Sequence, residues 1–157
     1  MITECLIAFG GNLSNPKVTF QLALDSLTAS GFKLTAKSGI WRSPAWPAGS
    51  DQPDYLNAVV KGRYEGEALE LLAELNRIEE THGRVRSIPN AARTLDLDIL
   101  LFGSLKCKTE KLTIPHPEML KRAFVLVPAC EIDPKWVRYA RALPEEDIRS
   151  TRYAGTW

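Results

Sequence analysis

Cysteine is scarce in this chain and unpatterned. Its three residues, Cys5, Cys107 and Cys130, are odd in number and lack metal-ligand spacing. They read as reduced thiols of a cytoplasmic protein, with no disulfide framework and no cysteine-built metal site. A dominant charge is missing too: 20 basic and 19 acidic residues leave a net charge of +1, which calls for neither nucleic acid nor a membrane surface. Long apolar runs are absent. The run near the start extends only from Cys5 to Phe9 and no basic segment precedes it, so neither a signal peptide nor a membrane span is expected. No internal repeat, low-complexity tract or linker interrupts the chain. A single domain over residues 1–157 is expected, large enough to bury roughly two-thirds of its unfolded surface. Two nucleotide-binding signatures are also lacking. Gly10-Gly11 precedes a helix start and could cradle a phosphate, but it is not the dinucleotide fingerprint and lacks the Lys-Ser/Thr of a phosphate-binding loop. The pair is read mainly as a turn.

What is present centres on the stretch from Arg93 to Gly103. From Thr94 to Phe102 it is mostly β-branched or apolar and free of Pro and Gly, which is the signal of a strand. Alternation puts Leu95, Leu97, Ile99 and Leu101 on one face and Asp96, Asp98, Leu100 and Phe102 on the other. Asp96 and Asp98 are thus neighbours, roughly 6–7 Å apart at Cα. Two like charges on a mostly buried strand need compensation by a cation or by hydrogen-bond donors. A pair of Mg²⁺ ions about 3.5–4 Å apart fits that spacing and serves phosphoryl chemistry. A solvent-facing edge strand, or a structural ion pair with Arg93, fits the same residues.

Upstream, Cys5–Phe9 reads as a buried strand. Asn15 as N-cap with Pro16 behind it starts a helix whose core face is Phe20, Leu24 and Leu27, and Gly31 stops it. Phe32–Trp41 reads as a second strand. Arg42–Asp54 is too rich in turn residues for regular structure, yet Trp46 and the flanking Tyr55 argue for an ordered, functional loop. Tyr55–Lys61 resumes as a strand with Tyr55, Asn57 and Val59 on one face. An aromatic beside an amide suits a flat heterocycle, although a core tyrosine and a capping asparagine are the commoner explanation. Glu67–His82 is an amphipathic helix with Leu71, Leu72, Leu75 and Ile78 inward and Gly83 as its stop. Asn76 and Glu79 lie one turn apart near its end.

Arg84, Arg86 and Arg93 then flank an irregular loop that runs into the two aspartates. Arginine forks suit phosphate oxygens, so the combination raises a nucleotide-phosphate site above plain ion pairing. Lys106–Lys111 reads as a hairpin turn. His116, held between Pro115 and Pro117, can donate to a phosphate, although a lone histidine is more often structural. A short helix over Pro117–Lys121 leads to Arg122 and the apolar run Phe124–Val127. The tail from Trp136 to Trp157 shows helical and turn patches without evident chemistry.

Taken together, Gly10-Gly11-Asn12-Leu13, Asp51–Asn57, Arg84-Val85-Arg86, Arg93–Asp98 and Ile114-Pro115-His116 with Arg122 and Phe124 resemble the 6-hydroxymethyl-7,8-dihydropterin pyrophosphokinases of folate synthesis. The resemblance spans nearly the whole chain, and its most specific block is Arg93–Asp98 with the downstream Pro-His. It implies an α/β (α+β) sandwich of ferredoxin-like topology: a largely antiparallel sheet with helices on both faces. The order strand, helix, strand, strand, helix, strand is compatible with that topology. It also implies ATP as co-substrate and two Mg²⁺ ions held by Asp96 and Asp98. Arg84 and Arg93 match the clamp on the transferring diphosphate, and with Asp98 they form the expected catalytic set. Tyr55 and Phe124 match the aromatics that sandwich the pterin, Asn57 the amide that reads its edge, and Ser43, Pro44 and Trp46 the loop around it. Asn76, Glu79, Arg84, Arg86, Arg93, Ile99, Lys111, Thr113, His116 and Arg122 fall at ATP-contact positions.

The sequence departs from the family pattern in several places. The loop before Arg93 is shorter and lacks a Trp-Gly-Pro, and Gly11, Trp46, Asn76, Lys111 and Pro117 replace the usual residues. None of these changes removes a metal ligand or a clamp arginine. The expected partners are the small molecules ATP and hydroxymethyldihydropterin, with no nucleic acid and no membrane, and the expected state is a monomer. A ferredoxin-like binding module and a two-metal phosphoesterase are the rival readings of the same residues.

Overall fold

Strand β1 (Ile2–Gly11) is the axis of the fold. Cys5, Leu6 and Ile7 are all buried, so consecutive side chains face apolar surroundings on both sides, as a central strand requires. The computed structural model describes residues 2–12, 15–44, 54–82 and 95–157. After β1 come α1 (Pro16–Ala29), β2 (Lys33–Lys37), β3 (Ile40–Ser43), β4 (Tyr55–Glu65), α2 (Ala68–Thr81) and β5 (Asp96–Phe102). A small hairpin follows, β6 (Cys107–Lys108) and β7 (Thr113–Ile114), then α3 (Ala123–Ile132), α4 (Val137–Arg141), α5 (Glu145–Ser150) and β8 (Arg152–Gly155).

The main sheet runs β5-β1-β4-β3-β8, with β2 pairing beside β3 along β4. Every pairing in it is antiparallel. The first six elements reproduce the ferredoxin-like order, with the second strand split in two and β8 added at the far edge. Phe20, Leu24 and Leu27 of α1 and Leu71, Leu75 and Ile78 of α2 share one core with Ile7, Phe9, Ala58 and Leu97. Val125, Leu126 and Ala129 of α3 share the other with Leu6, Val59 and Leu100. Each of these large apolar side chains contributes about 1.5–3 kcal/mol by leaving water.

Local signals explain most boundaries. Asn15 precedes Pro16 as expected, though its side chain makes no cap bond, and Gly31 with φ 108° provides the left-handed exit that only glycine adopts cheaply. At the start of α2 the Glu67 side chain accepts from the backbone of Glu70, while the Glu70 carboxylate accepts the Glu67 N–H at 3.0 Å. The expected stop, Gly83, lies outside the described residues.

Four expectations are corrected. Gly10-Gly11 is not a turn but the end of β1, paired with Asn57 and Leu56. The Phe32–Trp41 strand is broken at Ser38-Gly39. Buried Ser38 accepts the Val59 N–H through its hydroxyl at 2.9 Å and so satisfies the ladder while bending the chain. The helix over Pro117–Lys121 shrinks to a short 3₁₀ turn, Met119–Lys121, because the Glu118 N–H is taken by His116 Nδ1 at 3.1 Å. The strict alternation along β5 also fails near its end. The register with β1 steps from Ile7↔Ile99 to Leu6↔Leu101, leaving Leu100 as an extra residue. Leu101 therefore joins the α3 side and Phe102 the α1 side, opposite to what period two predicts.

Candidate active site

The sheet register assembles the site on the α3 face. Gly10 pairs with Asn57 on one side and Asp96 on the other, and Asn57 pairs in turn with Trp41. One row across four strands thus reads Asp96, Gly10, Asn57, Trp41. Two residues away, Ala8 stands between Asp98 and Val59. Towards the other end Tyr55 pairs with Ser43. The expected faces of Tyr55, Asn57 and Val59, and of Asp96 and Asp98, coincide on this one surface.

Above this floor lies a cleft of about 780 Å³, a size suited to small-molecule ligands. Its lining includes Ser43, Pro44, Tyr55, Asn57 and Phe124. Asp96, Asp98, His116 and Arg122 line it as well. Gly10 is what makes the floor flat at the centre, because a Cβ there would stand 2.7 Å from Asn57 Oδ1. Its neighbour Ala8 keeps the next row low.

The walls are set by the bulge and by α3. As the extra residue, Leu100 leaves its carbonyl free of the β1 ladder, and that carbonyl accepts the His116 N–H at 3.0 Å. Because His116 Nδ1 accepts from Glu118, the proton of the neutral ring sits on Nε2. The guanidinium of Arg122 lies 5.5 Å from the centre of the Phe124 ring, a cation–π contact that links the two at the entry of α3.

Other expected residues flank β5 on its outer side and are absent from the cleft lining. Buried Glu79 accepts the Leu97 N–H through Oε2 at 3.1 Å, covering part of the exposed edge of β5. Ile99, two residues on, turns its backbone groups to that same edge while its side chain is buried. Asn76 and Lys111 are exposed, and Thr113 is half-buried in β7, which packs beside β5. Trp46, Arg84, Arg86 and Arg93 lie outside the described residues. The structure also brings in residues not foreseen from the sequence: Lys121 from the 3₁₀ turn, and Glu146, Asp147, Ser150 and Thr151 from the tail.

Asp96 is half-buried and Asp98 exposed on the cleft side. Among the described residues no group of three or more His, Cys, Asp or Glu gathers as a metal cage. A two-carboxylate set suits Mg²⁺, which keeps waters and takes substrate phosphate oxygens as its remaining ligands.

The α+β sandwich fold is shared with solved structures. A chain described as HPPK-DHPS in complex with substrates superposes with a TM-score of 0.70 at 15% identity, over 90% of this chain and 44% of its own. The present chain thus spans less than half of that solved chain, and the likeness concerns the fold. Sequence gives the family. Residues 6–134 match the family described as 7,8-dihydro-6-hydroxymethylpterin-pyrophosphokinase (HPPK). The 2-amino-4-hydroxy-6-hydroxymethyldihydropteridine pyrophosphokinase of Haemophilus influenzae is 47% identical over 134 residues, 84% of this chain and 82% of the relative. Its counterpart from Synechocystis is 40% identical over 133 residues, 84% of this chain and 67% of the relative. This chain belongs to that family, and it is a pyrophosphokinase acting on hydroxymethyldihydropterin in folate synthesis.

Proposed function

We propose that the chain transfers the β,γ-diphosphate of ATP to the hydroxymethyl oxygen of 6-hydroxymethyl-7,8-dihydropterin and releases AMP. The hydroxymethyl oxygen forms a bond to the β-phosphorus, the bond from that phosphorus to the oxygen bridging the α-phosphate breaks, and the hydroxyl proton leaves to solvent. One observation carries the reading. The amide of Asn57 and the carboxylate of Asp96 sit two strands apart on one row, separated only by Gly10. A heterocycle held at one end therefore presents its substituent to phosphates held at the other. Juxtaposition of that kind is the main source of rate in phosphoryl transfer.

Tyr55 and Phe124 supply aromatic faces for the pterin, and Asn57 supplies a donor and an acceptor for its edge. Ser43 and Pro44 border the same end. Arg122, in contact with the Phe124 ring, and the Nε2–H of His116 supply cationic and donor groups for phosphate oxygens. Asp96 and Asp98 are the carboxylates that would hold Mg²⁺, whose charge offsets that of the phosphates when it is bound. Arg84 and Arg93, at family clamp positions, would close on the diphosphate, with Arg86 beside them. The outer edge of β5, with Ile99 between Glu79 and Thr113, is the proposed seat of the nucleotide base. Asn76 and Lys111 lie around it. The protein works as a monomer in the cytoplasm on this reading.

Chromatography of the nucleotides tests it. AMP should accumulate only when hydroxymethyldihydropterin is present. Nucleotide hydrolysis without the pterin would mark a phosphoesterase, and binding of both ligands without turnover would mark a binding module.

A further inference from the structure

One carboxylate joins α3 to the sheet beside the cleft. Glu131, near the end of α3, accepts two donors through Oε1: the indole N–H of Trp41 and the backbone N–H of Gly39, the latter at 3.2 Å. Tyr153 of β8 closes the cluster. Its ring stands 5.4 Å from that of Trp41 at an angle of 79°, and a Cβ on Gly39 would collide with it. Glu131 is exposed and Trp41 half-buried, and neither belongs to the two apolar cores or to the cleft lining.

Both partners lead to the heterocycle. Trp41 is the cross-strand partner of Asn57, so the two side chains leave the sheet as neighbours on one face. Glu131 follows Phe124 in the same helix by roughly two turns, which puts both on one side of α3. A circuit of contacts results: Asn57 to Trp41 across the ladder, Trp41 to Glu131 by hydrogen bond, Glu131 to Phe124 through the helix. The one gap in the circuit is the space between the Phe124 ring and the Asn57 amide, both of which line the cleft. Val125, Leu126 and Ala129 hold α3 to the sheet by apolar packing, which has no preferred direction. The hydrogen bond to Trp41 supplies the direction.

We propose that Glu131 and Trp41 are positioning residues for the diphosphate acceptor: their hydrogen bond holds α3 at the height over the sheet that suits a flat ring, and so sets the affinity for the heterocycle. The inference rests on the pterin reading of the cleft. Without this clasp α3 samples positions in which Phe124 no longer faces Asn57, and binding weakens in proportion to the time the slot is formed. Saturating pterin restores the slot and spares turnover. Asp96 lies across Gly10 from Asn57, outside the circuit, so ATP depends on the clasp less than the pterin does.

Titration of 6-hydroxymethylpterin, followed by its fluorescence, tests the clasp in the intact protein. In Glu131→Ala and in Trp41→Phe the dissociation constant should rise about threefold or more, the scale of one lost hydrogen bond. The double variant should be no worse than either single one, because both remove the same contact. Glu131→Gln, which keeps an acceptor for the indole, should recover part of the loss. The KM for the dihydropterin should follow the dissociation constant, with kcat near wild type and ATP binding changed less. Trp157→Ala controls for stability. It loosens the opposite face of the sheet, so it should lower the melting temperature without weakening the pterin. The clasp is wrong if neither single variant weakens the pterin, if their losses add, if ATP weakens equally, or if Trp157→Ala has the same effect. In each of those cases Asn57→Ala, the reference for the subsite, still weakens the pterin and the pterin reading stands. If Asn57→Ala leaves pterin binding unchanged, the pterin reading fails and the clasp falls with it.

Discussion

Gly10 lies directly beneath the amide of Asn57, so close that a Cβ on Gly10 would meet Asn57 Oδ1 at 2.7 Å. The two residues are also Cα partners in the β1–β4 ladder, and Gly10 is at the same time the partner of Asp96. One missing side chain therefore sets both the seat of the amide and the open path from the pterin end to the carboxylates.

Gly10→Ala should displace Asn57 while leaving the sheet intact, since alanine suits a strand at least as well as glycine. Pterin binding should weaken by about 1–3 kcal/mol, the cost of leaving the edge of the heterocycle unpaired. Calorimetry should show this with ATP binding and melting temperature almost unchanged. Equal loss for both ligands would mean that the glycine matters for the fold and not for the amide.

Asp96→Ala and Asp98→Ala should each lower turnover by orders of magnitude in a folded protein, because charge neutralisation at the phosphates is lost. Asp98 is exposed and Asp96 only half-buried, so neither change should cost much stability. Magnesium titrations of the initial rate provide the check. Variants that match wild type at low magnesium would contradict the role given to the pair.

Trp157 fastens the tail. Its ring lies 5.4 Å from that of Phe9 and 5.5 Å from that of Phe20, Lys37 sits 4.6 Å above it, and its indole N–H reaches the Ser38 carbonyl at 2.8 Å. Trp157→Ala should cost about 3 kcal/mol. At about 2–4 °C per kcal/mol the loss is visible in a thermal melt. Trp157→Phe, which keeps the ring contacts but not the hydrogen bond, should fall between the two.

Burial, with a smaller push from Glu4, raises the Cys5 thiol from 9.0 to about 12. In mildly alkaline buffer its thiolate fraction is thus about a thousandfold below that of an ordinary thiol, and alkylation should be slower in proportion. Iodoacetamide followed by mass spectrometry should modify Cys5 only after denaturation. The sign of the linkage follows. Below the unfolded pKa both states keep the proton; above it the unfolded chain loses its proton first, so this group's contribution to stability falls as pH rises towards about 12. Cys5→Ala should flatten that alkaline decline.

Much of this was legible in the sequence, and for physical reasons. The aspartate pair and the Tyr55–Asn57 face follow from a two-residue period that a sheet imposes on any strand. The boundaries of α1 followed from Asn15-Pro16 and Gly31. The misses arise where a partner far away in sequence decides. The extra residue at Leu100 depends on how β1 pairs, and nothing in Asp96–Phe102 alone announces a bulge. Ser38 breaks its strand because Val59 offers a backbone N–H. The contribution of α5 to the cleft rests on β8 finding the edge of β3, and β8 is a four-residue, mostly exposed segment with little pattern of its own.

The central claim is the transfer of an intact diphosphate between two ligands in one cleft. ATP labelled at its β-phosphorus, incubated with the protein, magnesium and hydroxymethyldihydropterin, measures that transfer directly. The label should appear in the pterin product, with one AMP formed for each labelled pterin. Label in free phosphate or free diphosphate, or in ADP with the γ-phosphate alone on the pterin, would contradict it.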